Sequence, residues 1–440
     1  MRPFLGLVVL ALCGIVAACS SCSDGGGSTH DASPDTDADT DTDTDTDADA
    51  DADTDTDSDT DTDSDTDTDT DTDADGDGGT DTDADSDSDL PPGCVLVTAN
   101  SALDWEGSNG LYDDVMVWTE FNWDTTTPEL KKRQLSSGVN STVIADPGYE
   151  ENPVIWGNWI FWEHSTGSSW TTREVYRMSL SALEQQQLTD NSCADGIVRG
   201  GENYFIHRQN CDGSDVEPLI LEQISPASSE VITPDSSSPP GTSGTMFDGV
   251  RYVAWGWHDE DLGGNDLIYL FDIENPTTPA EPLYPDANGQ AGGVIADGKI
   301  YAMTYDVDTT DEWDIWIYDI ASATMDWLDH SPWDQIGPVV SGHVVAYLDT
   351  EELASSYYTN GMIANMELKD LETSVTNQVT AEAGRYCGMA ISGKYLVYEN
   401  CATYELIACD LEAGGFIDAA GHVCPPTGCP EVDAGVDGGK

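Results

Sequence analysis

The sequence predicts an all-β fold made of repeated small sheets, and three observations carry that prediction. A unit of one short apolar strand, a glycine turn and a second strand rich in β-branched and aromatic residues recurs through residues 93–424. The turn glycines, Gly110, Gly157, Gly201, Gly249, Gly298, Gly342 and Gly393, follow one another at spacings of 44 to 51 residues. Strand segments such as Tyr252-Val253-Ala254-Trp255 are apolar on both faces, as expected of a strand sandwiched between two layers. A single four-stranded sheet cannot cover both of its own faces, whereas six or seven arranged radially can. That arrangement is a β-propeller, and a period in the mid-to-high forties suits four strands per blade. The copy at Gly110 is degenerate, so the expected count is six or seven, with seven preferred.

The propeller region is preceded by two segments of another kind. Arg2 stands before an apolar run from Phe4 to Ala18, too short for a comfortable membrane span but suited to a secretory signal. The run ends in Val16-Ala17-Ala18-Cys19, which resembles the lipobox of bacterial lipoproteins. The resemblance implies a signal peptide over 1–18, cleavage before Cys19 and acylation of Cys19. Several acyl chains would give stable membrane anchoring. Ser20 in place of Asp implies sorting to the outer membrane, facing the periplasm or the cell exterior. The alternative is an ordinary signal peptide cut near Ala18.

Residues 19–92 read as a tether. Residues 31–89 hold 28 Asp and no Lys or Arg, mostly as Asp-Thr, Asp-Ala and Asp-Ser dipeptides without aromatic residues. Such a segment cannot bury enough apolar surface to offset the entropy of ordering, and its like charges extend it. Its reach lies between about 50 Å as a coil and on the order of 240 Å fully stretched. Asp71-Thr72-Asp73-Ala74-Asp75-Gly76 matches the front of a Ca²⁺ loop, but Thr82 stands where the bidentate Glu belongs, so no EF-hand is expected. Pro91-Pro92-Gly93 marks the boundary, and all Trp and Tyr lie beyond it. Residues 425–440, rich in Gly and Pro, are expected to form a disordered tail.

Within the repeats, a second signature follows each glycine turn. It is seen in Asp266-Leu267-Ile268-Tyr269, in Asp314-Ile315-Trp316-Ile317-Tyr318-Asp319-Ile320, and in Leu406-Ile407-Ala408-Cys409-Asp410-Leu411. A closing element follows in Gln187-Leu188-Thr189 and Gln378-Val379-Thr380. Together with Ile391-Ser392-Gly393, these motifs resemble the TolB-like or WD-like β-propeller repeats over most of residues 100–412. The resemblance implies the fold more than any one activity, because propellers host many functions. Its typical blade count is six.

Eleven Cys are present, eight of them in the folded region, and an exported chain with an even number reads as disulfide-bonded. Cys193 and Cys211 flank the first two strands of one unit, as Cys387 and Cys401 do in another, so these pairs are expected. Cys94, Cys409, Cys424 and Cys429 are expected to pair near the ring closure and join the first and last blades, with their connectivity open. No Cys–His spacing suggests zinc.

Net charge excludes several function classes. Asp and Glu number 85 against 14 Lys and Arg, a formal net charge of −71, and the part from Leu90 onward is still near −43. Nucleic-acid binding needs clustered Lys and Arg and is not expected. No Walker A, Rossmann, G-x-S-x-G or H-E-x-x-H motif is present, and about 30 residues follow the last repeat, so no appended hydrolase domain is expected within this sequence. Two acidic loops are candidate Ca²⁺ sites: one with Asp259 and Asp261, the other with Asp306, Asp308 and Asp311. Calcium is thus the candidate cofactor, and solvated hairpin loops are the structural alternative. Trp123, Trp170 and Trp333 are the loop aromatics open to ligand stacking.

The expected function is non-enzymatic binding or scaffolding at the bacterial envelope. The chain is expected to act as a monomer on a lipid-anchored tether, with a protein or envelope polymer as partner. The alternative implied by the resemblance is a polysaccharide-active, lyase-like enzyme with metal and His assistance at the channel mouth. It would require two or more of His207, His258, His330 and His343, which come from different repeats, to converge on the channel face.

Overall fold

The computed structural model describes residues 90–99, 103–104, 110–122, 127–144, 148–166, 172–182, 184–211, 218–233, 244–259, 265–276, 281–283, 289–306, 312–328, 333–350, 362–380 and 383–429. The expected signal peptide, Cys19, the tether up to residue 89 and residues 430–440 lie outside them. The described chain is built of strands, and no helix in it is long and apolar enough to cross a membrane. It runs on to Cys429, five residues past the boundary expected from composition.

The first strand, β1 (Cys94–Thr98), stands apart from those that follow it in sequence. A first sheet holds β2 (Leu103–Asp104), β3 (Leu111–Tyr112), β4 (Val115–Asn122), β5 (Thr127–Gln134) and β6 (Val139–Ile144). Four sheets of four strands come next, each in sequential antiparallel order. The second has β7 (Tyr149–Trp156), β8 (Trp159–Ser165), β9 (Glu174–Ser179) and β10 (Gln185–Gln187). The third has β11 (Ala194–Gly200), β12 (Tyr204–Asn210), β13 (Leu219–Gln223) and β14 (Ser228–Val231). The fourth has β15 (Met246–Phe247), β16 (Tyr252–Asp259), β17 (Asn265–Asp272) and β18 (Glu281–Pro282). The fifth has β19 (Gln290–Ala296), β20 (Lys299–Asp306), β21 (Glu312–Asp319) and β22 (Thr324–Trp327).

The remaining strands join in one eight-stranded sheet. Its first part is β23 (Gln335–Ser341), β24 (Val344–Asp349), β25 (Met362–Asp370) and β26 (Thr376–Gln378). Its second part is β27 (Gly384–Ser392), β28 (Tyr395–Asn400), β29 (Glu405–Asp410) and, beside β29, the distant β1. Each part repeats the four-strand unit, and β25 and β27 pair only briefly, from Met362↔Tyr386 to Ala364↔Gly384.

Alternation along the strands explains how both faces are buried. Val253 and Trp255 pack with Ile206, Leu219 and Leu221 of the third sheet, while Ala254 packs with Ile300, Ala302 and Trp316 of the fifth. In β4, Val117 faces the second sheet beside Ile160 and Trp162. Its neighbours Met116 and Trp118 face the other way and meet Val97 of β1 and Ala390, Val397, Leu406 and Ala408. Each of these clusters joins one unit to the next, and the last named joins the final strands to the first sheet.

Two repeated hydrogen bonds account for the motifs. The N–H just past each third strand donates to a carbonyl of the turn between the first two strands, at 2.7 to 3.0 Å. The seven pairs are Leu135 to Asp114, Leu180 to Asn158, Ile224 to Asn203, Ile273 to Arg251, Ile320 to Gly298, Leu371 to His343 and Leu411 to Lys394. This is the role of the apolar residue in Asp-Ile and Asp-Leu. The Thr of the closing motif caps an N–H of the third strand: Val175 donates to Thr189 Oγ1 at 2.8 Å and Met366 to Thr380 Oγ1 at 3.1 Å. Gln290 and Asp334 do the same for Ile268 and Trp313.

In the first sheet the turn lies one strand later than Gly110. Asp113 takes the left-handed conformation, φ 51°, between β3 and β4, and Asp114 supplies the carbonyl. Asp tolerates that conformation better than most residues, so a search for glycine passes over this turn.

Among the described residues, four disulfides are present: Cys94–Cys409, Cys193–Cys211, Cys387–Cys401 and Cys424–Cys429. Cys193–Cys211 and Cys387–Cys401 close the ends of strand hairpins, as their places in the repeat imply. The expectation for the other four Cys needs correction. Cys94–Cys409 ties β1 to β29 within one sheet, because the N-terminal strand belongs to the last unit and not to the first blade. Cys424–Cys429 is local, closing a short loop after the last strand.

Cys94–Cys409 spans 315 residues of chain. Replacing both with Ser should lower the unfolding free energy in urea by about 2–5 kcal/mol, since a long loop in the unfolded chain is released. The equivalent change at Cys424 and Cys429, five residues apart, should cost clearly less. Equal losses for the two pairs would contradict this assignment.

Candidate functional site

The two ends of the sheets differ in chemistry. At the turn end, where first strand meets second, the connections are short. At the loop end, where second strand runs into third, they carry residues 123–126, 166–173, 211–218, 260–264, 307–311, 350–361 and 401–404. These connections vary from 4 to 12 residues, and most contain Asp or Glu.

A set of buried carboxylates sits at the strand ends from which these connections leave. Glu129, Glu150, Glu163, Asp195, Asp314, Asp334, Asp349 and Glu399 are none of them more than 8 % exposed. Each lies near the start of a first or third strand or the finish of a second. Buried carboxylates need partners or must take up a proton. Glu129 accepts from Lys131 and Asn122 at 2.6 Å, and the Lys131 bond holds its pKa low. Glu163 accepts from Arg173, and from Asn152 at 2.7 Å. Glu150 lies 2.8 Å from Nδ1 of His164.

Other acids at this end are pushed the opposite way. Burial raises Glu151 and Glu174. Burial also raises Asp334, with Asp349 adding to it. Burial pushes Glu399 up to about 7. In the third sheet, His207 is fully buried with Nδ1 3.4 Å from Asp195 and Nε2 3.6 Å from Glu222. Burial pulls its pKa down, but the two carboxylates outweigh burial and leave it raised.

The candidate calcium residues divide between described and undescribed chain. Asp259 ends β16, with its backbone opposite Asn265, and Asp306 ends β20 opposite Glu312. Their side chains, together with Asp261, Asp308 and Asp311, lie outside the described residues, as do Trp123, Trp170, His330 and the side chain of His258. Trp333 is half-buried just before β23. His207 and His343 are not brought together: the first lies within β12, and the second sits at a turn end, its ring centroid 4.4 Å from that of His422. His422 Nδ1 is 3.0 Å from Asp370 Oδ2, and that contact raises the His422 pKa. Sequence reasoning passed over the buried carboxylates because they lie inside runs read for their apolar residues. It passed over His422 because that residue follows the last repeat.

No protein-family model matches the chain, and no curated protein sequence matches it either. Solved structures do. An oligogalacturonate lyase in complex with manganese aligns with a TM-score of 0.54 at 10 % identity, over 72 % of this chain and 92 % of that one. A prolyl endopeptidase aligns with a TM-score of 0.53 at 12 % identity, over 71 % of this chain. TolB from Acinetobacter baumannii aligns with a TM-score of 0.39 at 15 % identity, over 64 % of this chain. The chain spans 47 % of the prolyl endopeptidase and 65 % of TolB. At such identities the likeness concerns the fold alone. The fold is that of a β-propeller.

The raised pKa of Glu399 gives a pH prediction. Its folded pKa of about 7 lies above the ordinary 4.5, so its ionisation opposes folding. The penalty is absent below about pH 4.5, grows as pH rises and is complete above about 7, where it amounts to about 3 kcal/mol. Glu399→Gln should therefore match wild type in stability near pH 4.5 and exceed it above pH 7. Denaturant midpoints across that range read the difference, and parallel curves would refute the assignment.

Proposed function

We propose that this chain is a seven-bladed propeller that binds or scaffolds at the bacterial envelope without catalysing a reaction. In this reading β1 completes the seventh blade and closes the ring. The acylated Cys19 and the tether of residues 19–92 hold the propeller away from the outer membrane. The partner is a protein or an envelope polymer, met at the loop end.

The observation that carries this reading is the asymmetry between the two ends. Seven copies of one hydrogen bond fix the turn end, whereas the loop end varies in length and sequence from unit to unit. A rigid scaffold with variable loops on one side is a recognition design. The second reading, a lyase-like enzyme on polysaccharide, is favoured by the fold likeness to oligogalacturonate lyase.

One assay separates the two readings. The full-length protein is mixed with envelope fractions and with oligogalacturonate, in Ca²⁺ and in EDTA. Saturable co-sedimentation without release of unsaturated sugar supports binding, and loss of it in EDTA would bring in the acidic loops at Asp259 and Asp306. Turnover of the oligosaccharide would replace the binding reading with the enzymatic one. The anchor has a separate test: Cys19→Ala should move the protein from the membrane to the soluble fraction, and a variant that stays with the membrane would refute lipidation there.

A further inference from the structure

At the turn end of the fourth and seventh units, the Asp that finishes the third strand meets a cation from the turn. Asp272 accepts from Arg251 at 2.7 and 2.8 Å, and Asp410 pairs with Lys394 at 2.7 Å. The sixth unit departs from this pattern. Asp370 finishes β25, and the residue facing it from the turn is His343, with Nε2 at 3.8 Å. A second imidazole, His422, comes from the segment after the last strand.

We propose that His343 Nε2, Asp370 Oδ2 and His422 Nδ1 bind a zinc-class metal ion that fastens the C-terminal segment to the sixth unit. These three atoms lie within 4.8 Å of one another. In a four-coordinate site, ligand atoms bonded at about 2.0–2.1 Å lie about 3.3–3.4 Å from one another, so the widest separation has to close by up to about 1.4 Å, through rotation of the half-buried His343 and His422 rings. Two imidazoles with one carboxylate suit Zn²⁺, Co²⁺ or Ni²⁺ and not Ca²⁺ or Mg²⁺, which take oxygen ligands.

The carboxylate is already aimed. Asp370 is fully buried, and its Oδ1 accepts the N–H groups of Glu372 and Thr373 at 2.8 and 2.9 Å, which turns Oδ2 toward the two rings. Outer hydrogen bonds of this kind orient metal ligands. His343 Nε2 lies 3.1 Å from the Gly421 carbonyl. On coordination each ring would keep its proton on the nitrogen facing away, and a water or the Gly421 oxygen would fill the fourth position. His422 is itself held: its N–H donates to Asp418 Oδ1 at 3.0 Å, and the Cys424–Cys429 disulfide closes the chain just beyond it. Phe416, Ile417 and Val423 of the same segment are buried against the sixth and seventh units. Metal binding would therefore add a polar fastening to an apolar one.

The test uses the full-length chain stripped with EDTA, then titrated with Zn²⁺ in excess Ca²⁺ to occupy the Asp-rich segment. One tight equivalent is expected by calorimetry. Co²⁺ should give the visible absorption of a four-coordinate site. His343→Gln and His422→Gln should each weaken the tight equivalent at least about tenfold, the loss expected even from an outer-shell partner. Zn²⁺ should raise the thermal midpoint of wild type more than that of either variant. A wild type without a tight equivalent, or a double variant that keeps it, would overturn the site. Should the variants fail to fold, the wild-type Co²⁺ spectrum decides: an all-oxygen, six-coordinate spectrum counts against the proposal.

Discussion

The rest of the structure depends on the pairing of Cys94–Thr98 with Glu405–Asp410. Every sheet is apolar on both faces, so every sheet needs a neighbour on each side. The last unit has only three strands of its own, and the fourth comes from the far end of the sequence. Val97 of that strand is buried with Met116 and Trp118 of the first sheet as well as with Leu406 and Ala408 beside it. Losing it would leave the edge of β29 unpaired and open the packing of the first sheet together. The disulfide from Cys94 to Cys409 acts where a strand without a local hairpin must stay in register. A sheet edge joined only by distant sequence is the costliest contact to form in loop-closure entropy, so a covalent tie is worth most there.

With the sheets held, their two ends are free to take different roles. At the turn end, polar groups satisfy one another locally: backbone N–H to turn carbonyl in every repeat, and Asp to cation in the fourth and seventh units. At the loop end, the polar groups are acids buried at the strand ends, from which the connections run over 4 to 12 residues. The first arrangement fixes a frame. The second leaves charge stored where recognition is proposed to occur.

The sequence displayed whatever repeats. Alternating apolar residues marked the strands, as Val253 and Trp255 show by facing one neighbour while Ala254 faces the other. The Cys193–Cys211 and Cys387–Cys401 pairs were legible because each joins the first two strands of its unit near their open end. What did not repeat was hidden. The first turn uses Asp113 in place of glycine, so the glycine period pointed to Gly110. The place of β1 beside β29 leaves no local signal, because a strand looks the same whichever sheet it joins. Glu150, Asp195 and Glu399 sit within strand spans, where a reading tuned to hydrophobic alternation takes a charged residue as facing solvent. His422 lies beyond the last repeat, and only folding sets it against Asp370, 52 residues away.

The stored acids also sharpen what net charge says about partners. A surplus of carboxylates spread over a surface is screened by salt and selects little. Carboxylates under the loop end are different, because burial leaves Glu151, Glu174, Asp334 and Glu399 reluctant to ionise. A cation arriving at that end would favour their charged forms and so lower their pKa values. By reciprocity its own binding would strengthen as pH rises through them, and an anion would meet the opposite. On the proposed binding reading, a cationic group of the partner would gain at the loop end from the ionisation of a few sheltered residues rather than from the total of −71.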